Sequence, residues 1–267
     1  MRINSEPVPK PTQPSKENWT LQDKLKFFGP RYFSSENYGV PRGYESYDND
    51  GFWQTTLKAI EKYVKNPEDK TYLDLGCAFG HLLKRVPFKK CYGGDISWQA
   101  LRHTQKAVAE KDRGSYTIET QLDAEFALPF KNESFDCVTA LDVVEHTHNF
   151  IETIGEISRV MKTSGLLIVG TPITDTVEGK IWGKVFDWDK SHFNKPTREG
   201  LFNALEQAGF EVSEYHYYYP LPARKIAFPR TSMEIASIKT DKTPEQLRLI
   251  HQERFKSASF LNISSTK

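Results

Sequence analysis

Between residues 71 and 170, short apolar runs alternate with longer stretches in which apolar residues recur every three or four positions. The runs TYLDL, CYGGDI, YTIETQL, FDCVTAL and GLLIVG read as strands, since brief segments rich in apolar and β-branched residues suit a buried sheet. In SWQALRHTQKAVAEK the stripe Leu101, Thr104, Ala107 and Val108 has a helical period, as does Ile151, Ile154, Ile157 and Val160 in FIETIGEISRVMK. Alternation of this kind calls for a parallel sheet with helices on both faces. Further on, TREGLFNALEQAG reads as a helix capped by Thr197 and stopped by Gly209, and FEVSEYHYYY and MEIASIK add two strands. The expectation is a doubly wound, mostly parallel α/β sheet of seven strands. In the sixth, Tyr215, Tyr217 and Tyr219 fall on one face.

The flanks differ in texture. Residues 1–18 carry prolines at 7, 9, 11 and 14 and little that could be buried, which predicts a disordered lead-in. TLQDKLKFF opens a short helix at Thr20 that Gly29-Pro30 stops. A segment rich in Tyr, Gly and Ser follows without a clean period, so residues 19–48 are expected to form a helix and an aromatic lid. GFWQTTLKAIEKYVKNP then predicts a helix ending before Pro67 and opening the main domain, residues 49–240. Residues 241–267 are expected to hold a C-terminal helix and tail. There Thr243, Pro244 and Gln246 give an N-cap, a first-turn proline and a capping box.

Composition narrows the function. With 36 basic and 35 acidic residues, the net charge of +1 offers no global field for a polyanion, so no nucleic-acid partner is expected. The three cysteines form no CxxC, which predicts neither a disulfide framework nor a metal site. The opening residues lack an apolar signal-peptide core, and no apolar run reaches the ~20 residues that a membrane span needs. A cytoplasmic protein is the expectation.

Candidate chemistry begins where the first strand runs into a turn, TYLDLGCAFGH. Gly76, Ala78 and Gly80 are small enough for the backbone to bend sharply and approach a ligand, and the amides opening a following helix would add partial positive charge. A dinucleotide fingerprint would need glycine at position 81, where the chain has His81. Asp95 closes the second strand, where a carboxylate can accept ribose hydroxyls.

LDLGCAFG, GGDIS, the long run from QLDAEF to LLIVGTP, and HFNKPTREGLFNALEQAGFEV together resemble the class I S-adenosylmethionine-dependent methyltransferases. More narrowly they resemble the branch that contains the ubiquinone and menaquinone biosynthesis enzymes. The resemblance covers residues 70–215, with Ala78 in place of the family's middle glycine and Lys162-Thr163-Ser164-Gly165 in place of its Lys-Pro-Gly-Gly. It implies that S-adenosylmethionine is the cofactor and S-adenosylhomocysteine the product. It further implies that Asp74, Gly76, Cys77, Ala78 and Gly80 hold the methionine end. Asp95 would then take the ribose, with Ile96 against the adenine. Asp123 and Ala124 would meet the adenine amino edge, and Leu141 and Asp142 would lie beside the cofactor, with Glu145 and His146 at the mouth.

For the acceptor side the resemblance implies an insertion over 173–194. His192 lies there among Trp182, Phe186, Trp188 and Phe193. His146 and His192 are the candidate catalytic groups. His146 reads equally as a structural histidine, and His192 as a group titrating near neutral pH that could take an acceptor proton. Tyr38, Tyr47, Trp182 and Trp188 are the candidate acceptor contacts, although aromatic cover of the sheet explains such residues as well. LDVVEH lacks the Asn/Asp-Pro-Pro-aromatic pattern of adenine or glutamine methylation, and no Pro-Cys dipeptide suggests a cytosine-C5 mechanism. The expected partner is a small organic acceptor, methylated at oxygen, nitrogen or carbon, with aromatic, lipid-like or natural-product character favoured. A non-catalytic cofactor-binding scaffold and a nicotinamide-dependent oxidoreductase stay open as alternatives.

Overall fold

The computed structural model describes residues 19–34, 42–109, 116–185, 189, 191–218 and 232–255, with backbone alone for 116, 182–185 and 218. The expected lead-in at 1–18, Tyr38, Trp188, Tyr219 and the tail beyond 255 lie outside them, as does the side chain of Trp182.

The strands are β1 (Thr71–Leu75), β2 (Lys90–Asp95), β3 (Tyr116–Gln121), β4 (Phe135–Leu141), β5 (Met161–Pro172), β6 (Phe210–Tyr218) and β7 (Ser232–Lys239). They form one sheet in the order β3-β2-β1-β4-β5-β7-β6. The first five are parallel, and β7 runs antiparallel between β5 and β6. The chain moves outward from β1 to β2 and β3, then returns to pair β4 against the other side of β1. Such a reversal opens a crevice at the carboxyl ends of the strands, which is where doubly wound sheets bind ligands.

Side chains alternate across the sheet with the period of two that pleating imposes. Leu73, Leu75, Val138, Ala140, Leu167 and Val169 enter one core, together with Ile154 and Ile157 of helix α4 (Phe150–Val160) and Leu201 and Leu205 of α6 (Arg198–Gln207), which follows α5 (Val177–Val185) in the chain. Tyr72, Cys91, Cys137, Leu166 and Ile168 face the other way, against Ala59 and Ile60 of α2 (Asp50–Tyr63) and Leu101 of α3 (Trp98–Val108). Each fully buried Leu or Ile stabilises the fold by about 1.5–3 kcal/mol, so both helix layers are held by their apolar stripes.

The cap signals act as read. Thr197 accepts the Gly200 N–H of α6, and Thr243 with Gln246 closes a capping box on α7 (Pro244–Arg254). His251 of α7 accepts the Val212 N–H through Nε2 at 2.8 Å and lies 2.8 Å from Glu206 through Nδ1, so the ring pins the helix to β6. The Lys162–Gly165 turn becomes an irregularity within β5. Pairing jumps from Phe135↔Met161 to Cys137↔Leu166, and Ser164 takes a left-handed φ of 68°.

One expectation fails. No α-helix follows the glycine turn, because only nine residues separate Gly80 from Lys90 and Pro87 is among them. Residues 81–86 form turns instead, with the Lys84 N–H donating to the Gly80 carbonyl and that of Val86 to Leu82. The turn therefore has no helix N-terminus behind it, and its amides act locally. No helix among the described residues is long and apolar enough to cross a membrane.

Candidate active site

The turn after β1 is left-handed at three places, Gly76 (φ 74°), Ala78 (φ 44°) and Gly80 (φ 73°). A Cβ on Gly76 would lie 2.3 Å from Val143 Cγ2, and one on Gly80 would lie 2.8 Å from Thr104 Cγ2. Both positions need glycine for space as well as for torsion. Ala78 adopts a conformation that costs an L-residue roughly 1–2 kcal/mol. Two hydrogen bonds hold it there: its N–H donates to Asp95 Oδ2 at 2.8 Å, and its carbonyl accepts from Thr104 Oγ1 at 2.7 Å.

Asp95 also accepts the Ser97 N–H through Oδ1 at 2.7 Å. Both of its oxygens are thus engaged by backbone, one from the turn and one from the cap of α3. This carboxylate braces the turn and is not the loosely held group that a cleft-lining aspartate alone would be. Burial pushes it up to about 6. Asp74 accepts from Thr139 Oγ1 at 2.7 Å, and burial, reinforced by the Asp95 charge, pushes it up to about 7. Two buried carboxylates poised near neutrality beneath the turn favour a cationic guest. Cys77 is buried beside Thr104, with its thiol pushed up by burial. His81, in place of the dinucleotide glycine, is buried against Tyr44, and burial pushes its ring down to about 4.

Ile96, Ala124, Leu141 and Asp142 are half-buried at the carboxyl ends of β2, β3 and β4. Asp142 is left-handed (φ 53°), and its N–H donates to the Gly170 carbonyl at 2.8 Å. Asp123 is already engaged. Lys24 of α1 (Leu21–Phe27) lies 3.0 Å from its Oδ2, bonds Glu125 as well, and is only 3% exposed. The sequence alone gave no reason to pair residues so far apart.

The N-terminal segment lies across this face. Phe33 and Tyr44 pack on Phe79 of the turn, Phe28 meets the His146 ring edge-on at 5.4 Å, and the Tyr32 hydroxyl donates to Asp189 Oδ2 at 3.2 Å. Tyr47 belongs to the core instead. It is 5% exposed, its ring stacks on Tyr44, and its carbonyl accepts from Trp53 Nε1. Buried in this way, the Tyr47 ring has little surface left to meet an acceptor.

Beyond Asp142, a 3-10 turn (Val144–His146) presents Glu145 and His146 to the segment carrying Asp189, Ser191 and His192. The His146 and His192 rings lie 4.9 Å apart. His146 Nδ1 is 3.1 Å from the Ser191 carbonyl and 2.9 Å from its hydroxyl, which in turn donates to Asp189 Oδ1 at 2.5 Å. His192 Nε2 lies 3.9 Å from Asp189 Oδ2. Burial pushes Asp189 up, yet the charges of His146 and His192 outweigh it and hold the carboxyl below its ordinary value. Glu145 behaves oppositely. Burial, aided by Asp142, pushes it up to about 8, with Oε2 accepting from Thr171 at 2.9 Å. Two histidines read separately from the sequence thus share one constellation. Asp189 and Ser191 went unread, although the Asp-Lys-Ser-His spacing that folds their tight turn was visible.

A model of the methyltransferase-domain family matches residues 46–215 of this chain. The chain belongs to the class I S-adenosylmethionine-dependent methyltransferases. It is 29% identical over 167 residues to an uncharacterized protein of Methanocaldococcus jannaschii, with 62% of this chain and 66% of that protein covered. It is also 29% identical over 177 residues to the tRNA U34 carboxymethyltransferase of Aliarcobacter butzleri, covering 62% and 55%. The chain thus spans about two thirds of the first relative and about half of the second. A complex between the Haloferax volcanii Trm112 methyltransferase activator and a methyltransferase shares the fold with a TM-score of 0.58 at 16% identity. That match covers 74% of this chain and 94% of the other.

The cofactor of this methyltransferase is S-adenosylmethionine. The residues present fit it. The glycine turn closes the carboxyl end of β1, where doubly wound sheets bind ligands, and the buried carboxylates of Asp74 and Asp95 beneath it suit a cationic methionine end.

Proposed function

We propose that this methyltransferase transfers a methyl group to a small organic acceptor that enters between the aromatic N-terminal segment and the constellation of His146 and His192. The observation that carries the reading is the placement of both half-sites beneath one segment. Phe33 rests on the glycine turn while Phe28 and Tyr32 touch the histidine side. In this reading Asp74 and residues 76–80 hold the methionine end of the cofactor, Asp95 and Ile96 the ribose and adenine, and Asp123 with Ala124 the adenine edge. Leu141 and Asp142 lie beside the reacting group.

The cofactor, when bound, supplies an electrophilic methyl on a sulfonium, displaced in line with a good leaving group. The protein's part is then alignment of the acceptor, exclusion of water, and removal of a proton where the acceptor is a weak nucleophile. His146 and His192, held by the ionised Asp189, are the groups that handle that proton. Lys24 must yield Asp123 if the adenine edge is to be read there, so cofactor entry and movement of α1 are linked.

Methyl transfer from isotopically labelled S-adenosylmethionine to a panel of small aromatic, lipid-like and natural-product acceptors tests the reading. Turnover on such an acceptor, lost in His192→Ala, supports it. No transfer to any member, together with transfer to tRNA, would favour a second reading, which rests on the relatives named as tRNA carboxymethyltransferases. The balanced charge of the chain favours the small acceptor.

A further inference from the structure

We infer that Glu145, His146 and His192 bind a first-row divalent cation at the acceptor side of the site. One ligand atom from each, two imidazole nitrogens and a carboxylate oxygen, all lie within 4.8 Å of one another. Bonds of ~2.1 Å to a tetrahedral ion separate its ligand atoms by roughly 3.4 Å, so the three side chains need to close by only about an ångström.

Three further observations point to a ligand here. Glu145 is 1% exposed, and its Oε1 is buried without a hydrogen-bond partner, although Oε2 is satisfied by Thr171. A buried carboxylate oxygen left bare is costly unless something arrives to pair with it. Secondly, His146 Nδ1 lies against the Ser191 carbonyl and hydroxyl at 3.1 and 2.9 Å. Anchoring one ring nitrogen on a carbonyl fixes the tautomer and presents the other nitrogen as a ligand, as metal-bound histidines do. Thirdly, a further carboxylate stands close by: Asp189 Oδ2 lies 3.9 Å from His192 Nε2. Nothing in the spacing of the sequence announces the site, because its ligands come from the 3-10 turn after β4 and from the segment before α6.

Two histidines and one carboxylate suit Mn²⁺, Fe²⁺, Co²⁺ or Zn²⁺ better than Mg²⁺ or Ca²⁺, which favour all-oxygen shells. Three protein ligands leave coordination positions open. The inference rests on the methyl-transfer reading and deepens it. With the ion in place the two histidines act on the acceptor proton through it and take no proton themselves: an acceptor hydroxyl oxygen entering an open position would be oriented and acidified, its proton passing to water. The oxygen then forms the bond to the methyl carbon as the carbon–sulfur bond breaks, and the sulfur keeps that electron pair as a neutral thioether.

The test is titration of the chelator-treated full chain with Co²⁺, followed by its visible absorption and by equilibrium dialysis, beside calorimetry with S-adenosylhomocysteine. One Co²⁺ per chain is expected, displaced by Zn²⁺. Affinity should fall about a hundredfold or more in both Glu145→Gln and His192→Ala, while the exposed His103→Ala leaves it unchanged. Glu145→Gln keeps a side-chain acceptor for Thr171, and retained binding of S-adenosylhomocysteine shows each variant folded. Sub-stoichiometric Co²⁺, or unchanged affinity in both ligand variants, overturns the metal site and leaves the methyltransferase reading standing. Stoichiometric Co²⁺ without binding of S-adenosylhomocysteine supports the site and overturns the methyl-transfer reading.

Discussion

The two halves of this site are built differently. The half proposed for the cofactor's methionine and ribose ends is local: a turn of five residues, the carboxylates at the ends of two neighbouring strands, and Thr104 one helix away. The half proposed for the acceptor is assembled from segments far apart in the chain: the turn after β4, the stretch around Asp189, and the N-terminal segment that meets them through Phe28 and Tyr32. A local site can be rigid because its torsions and hydrogen bonds are set by a few adjacent residues. A composite one depends on long-range packing, which makes it easier to vary and easier to move.

That contrast can be broken first at Gly76. Gly76→Ala places a Cβ against Val143 and an L-residue at positive φ, so unfolding free energy should drop by about 2–5 kcal/mol and cofactor binding should be lost. Thermal unfolding beside calorimetry reads both. A second change, Val143→Ala, should restore part of the stability by removing the clashing methyl, and no recovery would mean that torsion alone sets the penalty. Asp95→Ala comes next. It leaves the Ala78 and Ser97 amides without their carboxylate, each a loss of about 1–3 kcal/mol. Affinity for S-adenosylhomocysteine should fall by roughly ten- to a thousandfold, with a measurable loss of melting temperature. Unchanged stability would mean that the carboxylate does not brace the turn.

On the acceptor half, His192→Ala should leave cofactor affinity unchanged and lower turnover by about a hundredfold, least at high pH, where an acceptor ionises unaided. Weakened cofactor binding in this variant would erase the division between the halves. A smaller effect follows from Asp74 and Asp95, whose folded values of about 7 and about 6 lie above the ordinary 3.8. Both groups favour the fold in their protonated forms, a contribution complete below about pH 4 and lost as pH rises through those values. A cationic ligand end favours their ionised forms, so affinity for S-adenosylhomocysteine should rise with pH between 5 and 7, by no more than about tenfold per unit for each group. A flat profile would place the cationic end elsewhere. Smallest is Lys24→Met, expected to raise protease cleavage between residues 19 and 34 by a few-fold without altering turnover severely.

The same contrast explains what could be read in advance. The sheet was legible because alternating strand and helix periods admit few topologies, and the glycine turn because Gly76, Ala78 and Gly80 are neighbours in sequence. The missing helix after Gly80 was not, since the doubly wound pattern suggested an element that nine residues cannot accommodate. Tyr47 misled because a tyrosine in an aromatic run serves equally well as a core anchor, and only its burial beside Trp53 decides. Lys24 with Asp123, and Asp189 with His192, are pairings of tertiary structure that no local spacing encodes.

The central claim is that the turn at residues 76–80, braced by Asp95, is the seat of the cofactor. Calorimetry of the full chain with S-adenosylhomocysteine tests it most directly. The account predicts one site per chain with a dissociation constant in the micromolar range or tighter, weakened at least about tenfold in Asp95→Ala and unmoved in His192→Ala. Absence of binding at millimolar ligand, or equal affinity in the Asp95 variant, would contradict it.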